Sequence, residues 1–269
     1  MVDPAQKEIL LAWLSQYPFL AFEEIADGWQ TSIDYVAWTP KLRENIEAIF
    51  EIVPFAMEVK LLENQNWNEI WEASFKEILI DDFCQIRAPF HPHREDVSYS
   101  IMIDPRMAFG TGHHETTRLV IRALRDLSVR DKMVVDFGAG TGILAILASL
   151  MGASQIRAIE NDPVALDNLE ENVQLNDATR IHCGLASNLN DFDSNSVDIL
   201  LANITRDVLS AELSDIFRIL KDNGVIVLSG FLHVDLEIME SAIKRINGRL
   251  TSVIEENSWI AITAKKIHK

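Results

Sequence analysis

The sequence predicts an α/β protein: a mostly parallel, seven-stranded sheet covered by helices, preceded by a smaller α/β module. Three observations predict it. From residue 133 onward, short apolar runs alternate with amphipathic segments, the pattern of strands joined by crossover helices. The first of those runs ends in a tight glycine turn that feeds a helix, Val134-Val135-Asp136-Phe137-Gly138-Ala139-Gly140-Thr141-Gly142. The first sixty residues carry a different mixture of helix-like and strand-like runs.

The elements follow in order. Residues 9–16 read as a helix, 19–26 and 32–37 as strands, and 40–50 as an amphipathic helix with Leu42, Ile46 and Ile49 on one face. Residues 53–61 are a candidate further strand. The first sixty residues hold ten acids against four bases, a balance of −6 that suits a basic target. The expected division is residues 1–61 as a small α/β recognition domain, 62–76 as a linker helix and 77–269 as the main domain. Trp67 and Trp71 share a face of that linker, packed between the domains or turned to a substrate.

In the main domain, 133–137 is the first strand of the alternating region, 141–151 its helix and 156–160 the second strand. Asp162-Pro163 supplies a helix N-cap and a proline at the first helical position. That helix runs to about residue 176, with Val164, Leu166, Leu169 and Val173 as its apolar stripe. Strands are expected at 180–183, 197–202 and 225–229, and helices at 207–220 and 235–246. A final strand pair, 250–255 and 259–264, closes the chain.

Composition bounds the function. At 269 residues, 48% hydrophobic and 24% charged, the chain is long enough for one large core or two domains. No apolar run approaches the roughly 20 residues that span a bilayer, and the N-terminus lacks a basic start with an apolar core. A cytoplasmic chain is expected. Cys84 and Cys183 are too few and too far apart for a disulfide framework. The net charge of −17 argues against direct nucleic-acid binding, which needs a basic face. It is compatible with a basic protein partner and equally with an acidic surface that serves solubility.

The spacing of the glycine turn selects its ligand. A dinucleotide fold wants G-x-G-x-x-G; here the third glycine comes one residue early and Ile143 stands in its place. Glycine at every second position, with Glu160 twenty-two residues after Gly138, resembles the S-adenosylmethionine (SAM) site of class I methyltransferases with their Rossmann-like sheet. A second stretch, Ala108-Phe109-Gly110-Thr111-Gly112-His113-His114-Glu115-Thr116-Thr117, precedes an apolar helix at 119–127. It reads either as a loop that lands on a helix N-terminus and offers N–H groups to a carboxylate, or as a capping turn. His113 and His114, like His91 and His93, lack a third and fourth ligand at metal-site spacing, so no metal is expected.

Together these segments resemble the PrmA family, bacterial methyltransferases that modify the eleventh protein of the large ribosomal subunit. The resemblance rests on Asn66-Trp67-Asn68-Glu69-Ile70-Trp71-Glu72, the 108–117 loop, the glycine turn, Leu201-Ala202-Asn203-Ile204 and Leu228-Ser229-Gly230, in order across roughly residues 64–235. It implies a SAM-dependent protein N-methyltransferase that acts on lysine ε-amines and the N-terminal α-amine and releases S-adenosyl-L-homocysteine. It implies cofactor contacts at Thr117, Gly138, Gly140, Glu160 and Asn203, with Asn203 also orienting the amine and no general base assigned. Many members carry aspartate where Glu160 stands, and Gly184-Leu185-Ala186 offers no acid for the adenine amino group. The implied partner is the free ribosomal protein before or during ribosome assembly, met by a monomer. The alternatives are a SAM-dependent methyltransferase of another protein or small amine, and a SAM-binding module without turnover.

Overall fold

The computed structural model describes residues 10–11, 13–25, 28–49, 53–60, 76–104 and 112–267. The chain forms two compact units, 1–65 and 66–269. In the first, β1 (Phe19–Ile25) pairs antiparallel with β2 (Gly28–Ile33). Helix α1 (Pro40–Ile49) buries Leu42, Ile46 and Ile49 with Leu10, Leu14 and Val53. Thr39 Oγ1 accepts the Leu42 N–H at 3.1 Å, and Pro40 at the first position has no N–H to satisfy.

Two expectations change in this unit. The strand expected at 32–37 is instead 28–33, because Asp34 Oδ1 takes the Val36 N–H at 2.9 Å and turns the chain. Residues 53–60 run irregularly rather than as a strand. The linker helix, with Trp67 and Trp71, lies outside the described residues apart from its last residue.

The second unit begins with a small sheet that sequence periodicity did not reveal. Strands β3 (Ile78–Ile80), β4 (Cys84–Arg87) and β5 (Tyr99–Met102) lie in that order, β4 and β5 parallel. Helix α2 (Glu115–Arg125) follows. Then come β6 (Met133–Phe137), α3 (Ile143–Leu150), β7 (Gln155–Glu160), α4 (Pro163–Leu175), β8 (Ile181–Leu185), β9 (Val197–Asn203) and α5 (Arg206–Ile219). The chain continues through β10 (Leu220–Leu232), α6 (Leu236–Arg245), β11 (Gly248–Glu256) and β12 (Trp259–Lys266).

The large sheet has seven strands in the order β11-β12-β10-β9-β6-β7-β8. The five from β10 to β8 are parallel, and β12 runs antiparallel to both neighbours. This is the mostly parallel, seven-stranded α/β architecture the sequence predicts. Its central strands are mostly apolar because both faces are covered. One core gathers α2, α3 and Leu169 of α4; the other gathers α5 and α6. Helix α4 departs from its expected stripe: Leu169 is buried, but Val164 is 76% exposed and Asn168 and Asn172 turn inward instead.

The chain winds outward from β6 to β8 and returns to β9 on the other side of β6. Where strand order reverses in an open α/β sheet, the carboxyl ends of the strands leave a crevice for a ligand.

Candidate active site

Because β9, β6 and β7 are neighbours, their carboxyl ends set Asn203, the glycine turn and Glu160 side by side. The turn is fixed by its own backbone. Gly138 and Ala139 N–H both donate to the Ile159 carbonyl, at 2.9 and 3.0 Å, and Gly142 N–H donates to Ala139 at 2.8 Å. Gly138 and Gly142 have φ of +73° and +80°, in the left-handed region. A Cβ on Gly138 would collide with the Ile204 side chain, and one on Gly142 with Leu169. The turn therefore needs glycine both for its conformation and for its packing.

Glu160 closes β7 and is buried, 8% exposed as a residue. Its Oε2 accepts the Gly140 N–H at 2.8 Å, while Oε1 accepts those of Asn161 and Asp162 at 2.8 and 3.2 Å. The side chain thus ties the glycine turn to the start of α4, and each oxygen has acceptor capacity left.

Asp136 is a site residue for which sequence reading gave no role. It is wholly buried, two residues before Gly138. Its Oδ2 accepts the Ala145 N–H at 3.0 Å, capping α3 from the strand because the helix's own N-cap, Gly142, has no side chain. Its Oδ1 has no hydrogen-bond partner among the described residues. Burial pushes this carboxyl up to about 7, and the Glu160 charge pushes the same way. An ionisable residue inside an apolar run was the available signal.

On the other side stands α2. Residues 105–111, including most of the glycine part of the 108–117 loop, lie outside the described residues. Its end caps the helix: His114 Nδ1 accepts the Thr116 N–H at 3.3 Å, and the His114 carbonyl takes the Thr117 N–H at 3.2 Å. His114 thus caps the helix. Fully buried Thr117 meets Asn203, whose Nδ2 donates to Thr117 Oγ1 at 3.3 Å. The Asn203 Oδ1 is buried and has no hydrogen-bond partner among the described residues. Arg118 Nη2 and Arg122 Nη1 each lie 2.5 Å from the Glu256 carboxylate, anchoring α2 to the end of β11. Those two guanidiniums, Arg118 first, hold Glu256 below the usual carboxylate range. Among the described residues, no group of three or more His, Cys, Asp and Glu could hold a metal ion.

These groups fit SAM. The glycine turn leaves backbone bare for a nucleoside, the Glu160 carboxylate stands beside it, and the orphaned Asn203 Oδ1 suits an amine donor. With the strand order, this places the chain among the class I SAM-dependent methyltransferases.

Comparison with known proteins narrows the class to one family. The family model described as ribosomal protein L11 methyltransferase (PrmA) matches residues 29–267, and the chain belongs to that family. The ribosomal protein L11 methyltransferase of Porphyromonas gingivalis is 35% identical over 261 residues, 95% of this chain and 89% of that protein. That of Phocaeicola vulgatus is 33% identical over 258 residues, covering 95% of this chain and 92% of its own length. The crystal structure of ribosomal protein L11 methylase from Lactobacillus delbrueckii subsp. bulgaricus superposes with a TM-score of 0.66 at 27% identity. It covers 72% of this chain and 100% of that one.

Proposed function

We propose that the chain methylates the eleventh protein of the large ribosomal subunit, at lysine ε-amines and the N-terminal α-amine, using SAM and releasing S-adenosyl-L-homocysteine. The observation that carries this reading is the family match from residue 29 to residue 267, which runs from the acidic first unit through the whole catalytic sheet. Residues 1–61 serve as the recognition domain, 62–76 as a linker helix and 77–269 as the catalytic domain. The excess of acids among residues 1–60 supports attraction of a basic substrate. Among the described residues no helix is long and apolar enough to cross a membrane. The enzyme works as a cytoplasmic monomer on the free ribosomal protein, without binding nucleic acid.

Within the site, Thr117, Gly138, Gly140, Glu160 and Asn203 hold the cofactor. Glu160 accepts from the ribose hydroxyls with the lone pairs its three backbone bonds leave over. When bound, SAM supplies a methyl group on a positively charged sulfonium, which an amine attacks in line. The amine must be neutral. Deprotonating a lysine near pH 7 costs about 4–5 kcal/mol, and an α-amine about 1 kcal/mol. A neighbouring cation and partial desolvation both lower that cost. Asn203 Oδ1 accepts a hydrogen bond from the amine N–H and aims its lone pair, while Thr117 fixes the plane of the amide. Proton loss to water followed by alignment suffices, since orientation alone supplies several kcal/mol. No general base is assigned.

The test is incubation of the purified chain with labelled SAM and a mixture of ribosomal proteins, followed by mass spectrometry. Label on lysine and N-terminal amines of the eleventh large-subunit protein is expected. Label only on another protein would overturn the substrate assignment.

A further inference from the structure

The inward face of α4 carries asparagine where sequence periodicity expected aliphatic residues. Asn168, Asn172 and Asn176 recur at every fourth position, Asn168 and Asn172 almost wholly buried and Asn176 at the helix C-cap. Asn176 exchanges two hydrogen bonds with Met102 at the end of β5. The Met102 N–H donates to its Oδ1 at 2.8 Å, and its Nδ2 donates to the Met102 carbonyl at 2.6 Å. A neighbouring strand would offer the same pair of bonds. The asparagine amide therefore covers the open edge of β5, which has β4 on its other side.

Asn172 does something different. Its Oδ1 accepts the Asp104 N–H at 2.8 Å, and its Nδ2 donates to the Thr141 carbonyl at 2.9 Å. One side chain, 0% exposed, thus bonds at once to the segment leaving β5 and to the glycine turn. The Asn168 Oδ1, 3.3 Å from the same Nδ2, braces the amide from one helical turn earlier. Thr141 lies between Gly140, whose N–H is held by Glu160, and Gly142, which caps α3. A shift of Asn172 therefore acts on a turn already pinned on its other side.

We infer that Asn172 is a positioning residue of the methyl-transfer site: it sets the glycine turn in register with the segment at Asp104 and so tunes SAM affinity. Asn176, bonded among the described residues to the strand and its own helix, carries fold stability without that effect. The inference rests on the glycine turn being the SAM site.

The test compares Asn172→Ala, Asn172→Asp and Asn176→Ala in the full chain, by calorimetric SAM titration and urea denaturation. Asn172→Ala is expected to weaken SAM binding tenfold or more. Asn176→Ala is expected to lower the urea midpoint while leaving SAM affinity within twofold of wild type. Asn172→Asp keeps the acceptor for Asp104 but sets a carboxylate against the Thr141 carbonyl. Its SAM affinity relative to wild type should fall at pH 8 and recover on acidification, as the protonated carboxyl donates again. That recovery keeps the inference testable should the alanine variant fail to fold. Wild-type SAM affinity in Asn172→Ala, or an Asn172→Asp affinity ratio flat with pH, would overturn it. A wild-type chain that does not bind SAM overturns the cofactor reading itself.

Discussion

Asn203 and Thr117, 86 residues apart in sequence, meet through one hydrogen bond of 3.3 Å from amide to hydroxyl. That bond turns the Asn203 Nδ2 toward α2 and leaves the Oδ1 as the orphaned acceptor at the end of β9. Thr117→Val keeps the shape but strips the buried amide of its acceptor, a loss of about 1–3 kcal/mol. Turnover is expected to drop on the order of tenfold as the amide loses its fixed plane. Asn203→Ala should cost on the order of a hundredfold, the scale of a misaligned reactant. Label transfer from SAM checks both, and wild-type turnover in Asn203→Ala would remove it from the mechanism.

Glu160 makes three backbone hydrogen bonds as well as its proposed ribose contact. Glu160→Ala should weaken SAM binding at least tenfold, and its far-ultraviolet circular dichroism should remain that of a folded α/β protein. Calorimetry decides the matter. Unchanged affinity would confine Glu160 to holding the turn.

Asp136 gives a pH dependence whose sign follows from its raised value of about 7 in the folded chain. Between the ordinary carboxylate range near 4 and that value, the folded state keeps a proton that the unfolded state has released. This contribution to stability is complete at low pH, declines by up to about 1.4 kcal/mol per pH unit across that window, and levels off above it. Urea midpoints of wild type and Asp136→Asn from pH 4.5 to 8 should therefore diverge, the variant lacking this decline. Parallel profiles would show that Asp136 is ionised throughout.

Gly138→Ala combines a left-handed backbone with a collision against Ile204. The conformation alone costs roughly 1–2 kcal/mol. Pairing it with Ile204→Ala should recover the collision part but not the backbone part. A double-mutant cycle on urea midpoints then yields a coupling between the two sites. Strict additivity would mean the turn moves away from Ile204 instead.

Much of the catalytic sheet was legible because buried parallel strands leave continuous apolar runs. The glycine turn and the Asp162-Pro163 cap marked where β6 and β7 hand over to helices. The strands β3 to β5 were not legible, being three or four residues long and too short to show a period. The inward asparagines of α4 escaped for another reason: hydrophobic periodicity cannot see a polar side chain that is buried through its hydrogen bonds. Val164 was misplaced by the same logic, since its side chain faces solvent two residues past the N-cap Asp162. In the site, glycine spacing located the turn, whereas the pairing of Thr117 with Asn203 depends on β9 returning beside β6. No local pattern encodes that return.

Strand β12 lies between β10 and β11 and is the last strand of the chain to be synthesised among those described. The five parallel strands are joined to one another directly, whereas β11 meets the sheet only through β12. Glu256, at the end of β11, is the anchor for Arg118 and Arg122 beside Thr117. Asp81 also pairs with Arg122 and Arg125, but the hold of Glu256 on α2 beside Thr117 exists only because β12 keeps β11 in the sheet, so the last strand in sequence braces a residue more than 140 positions before it.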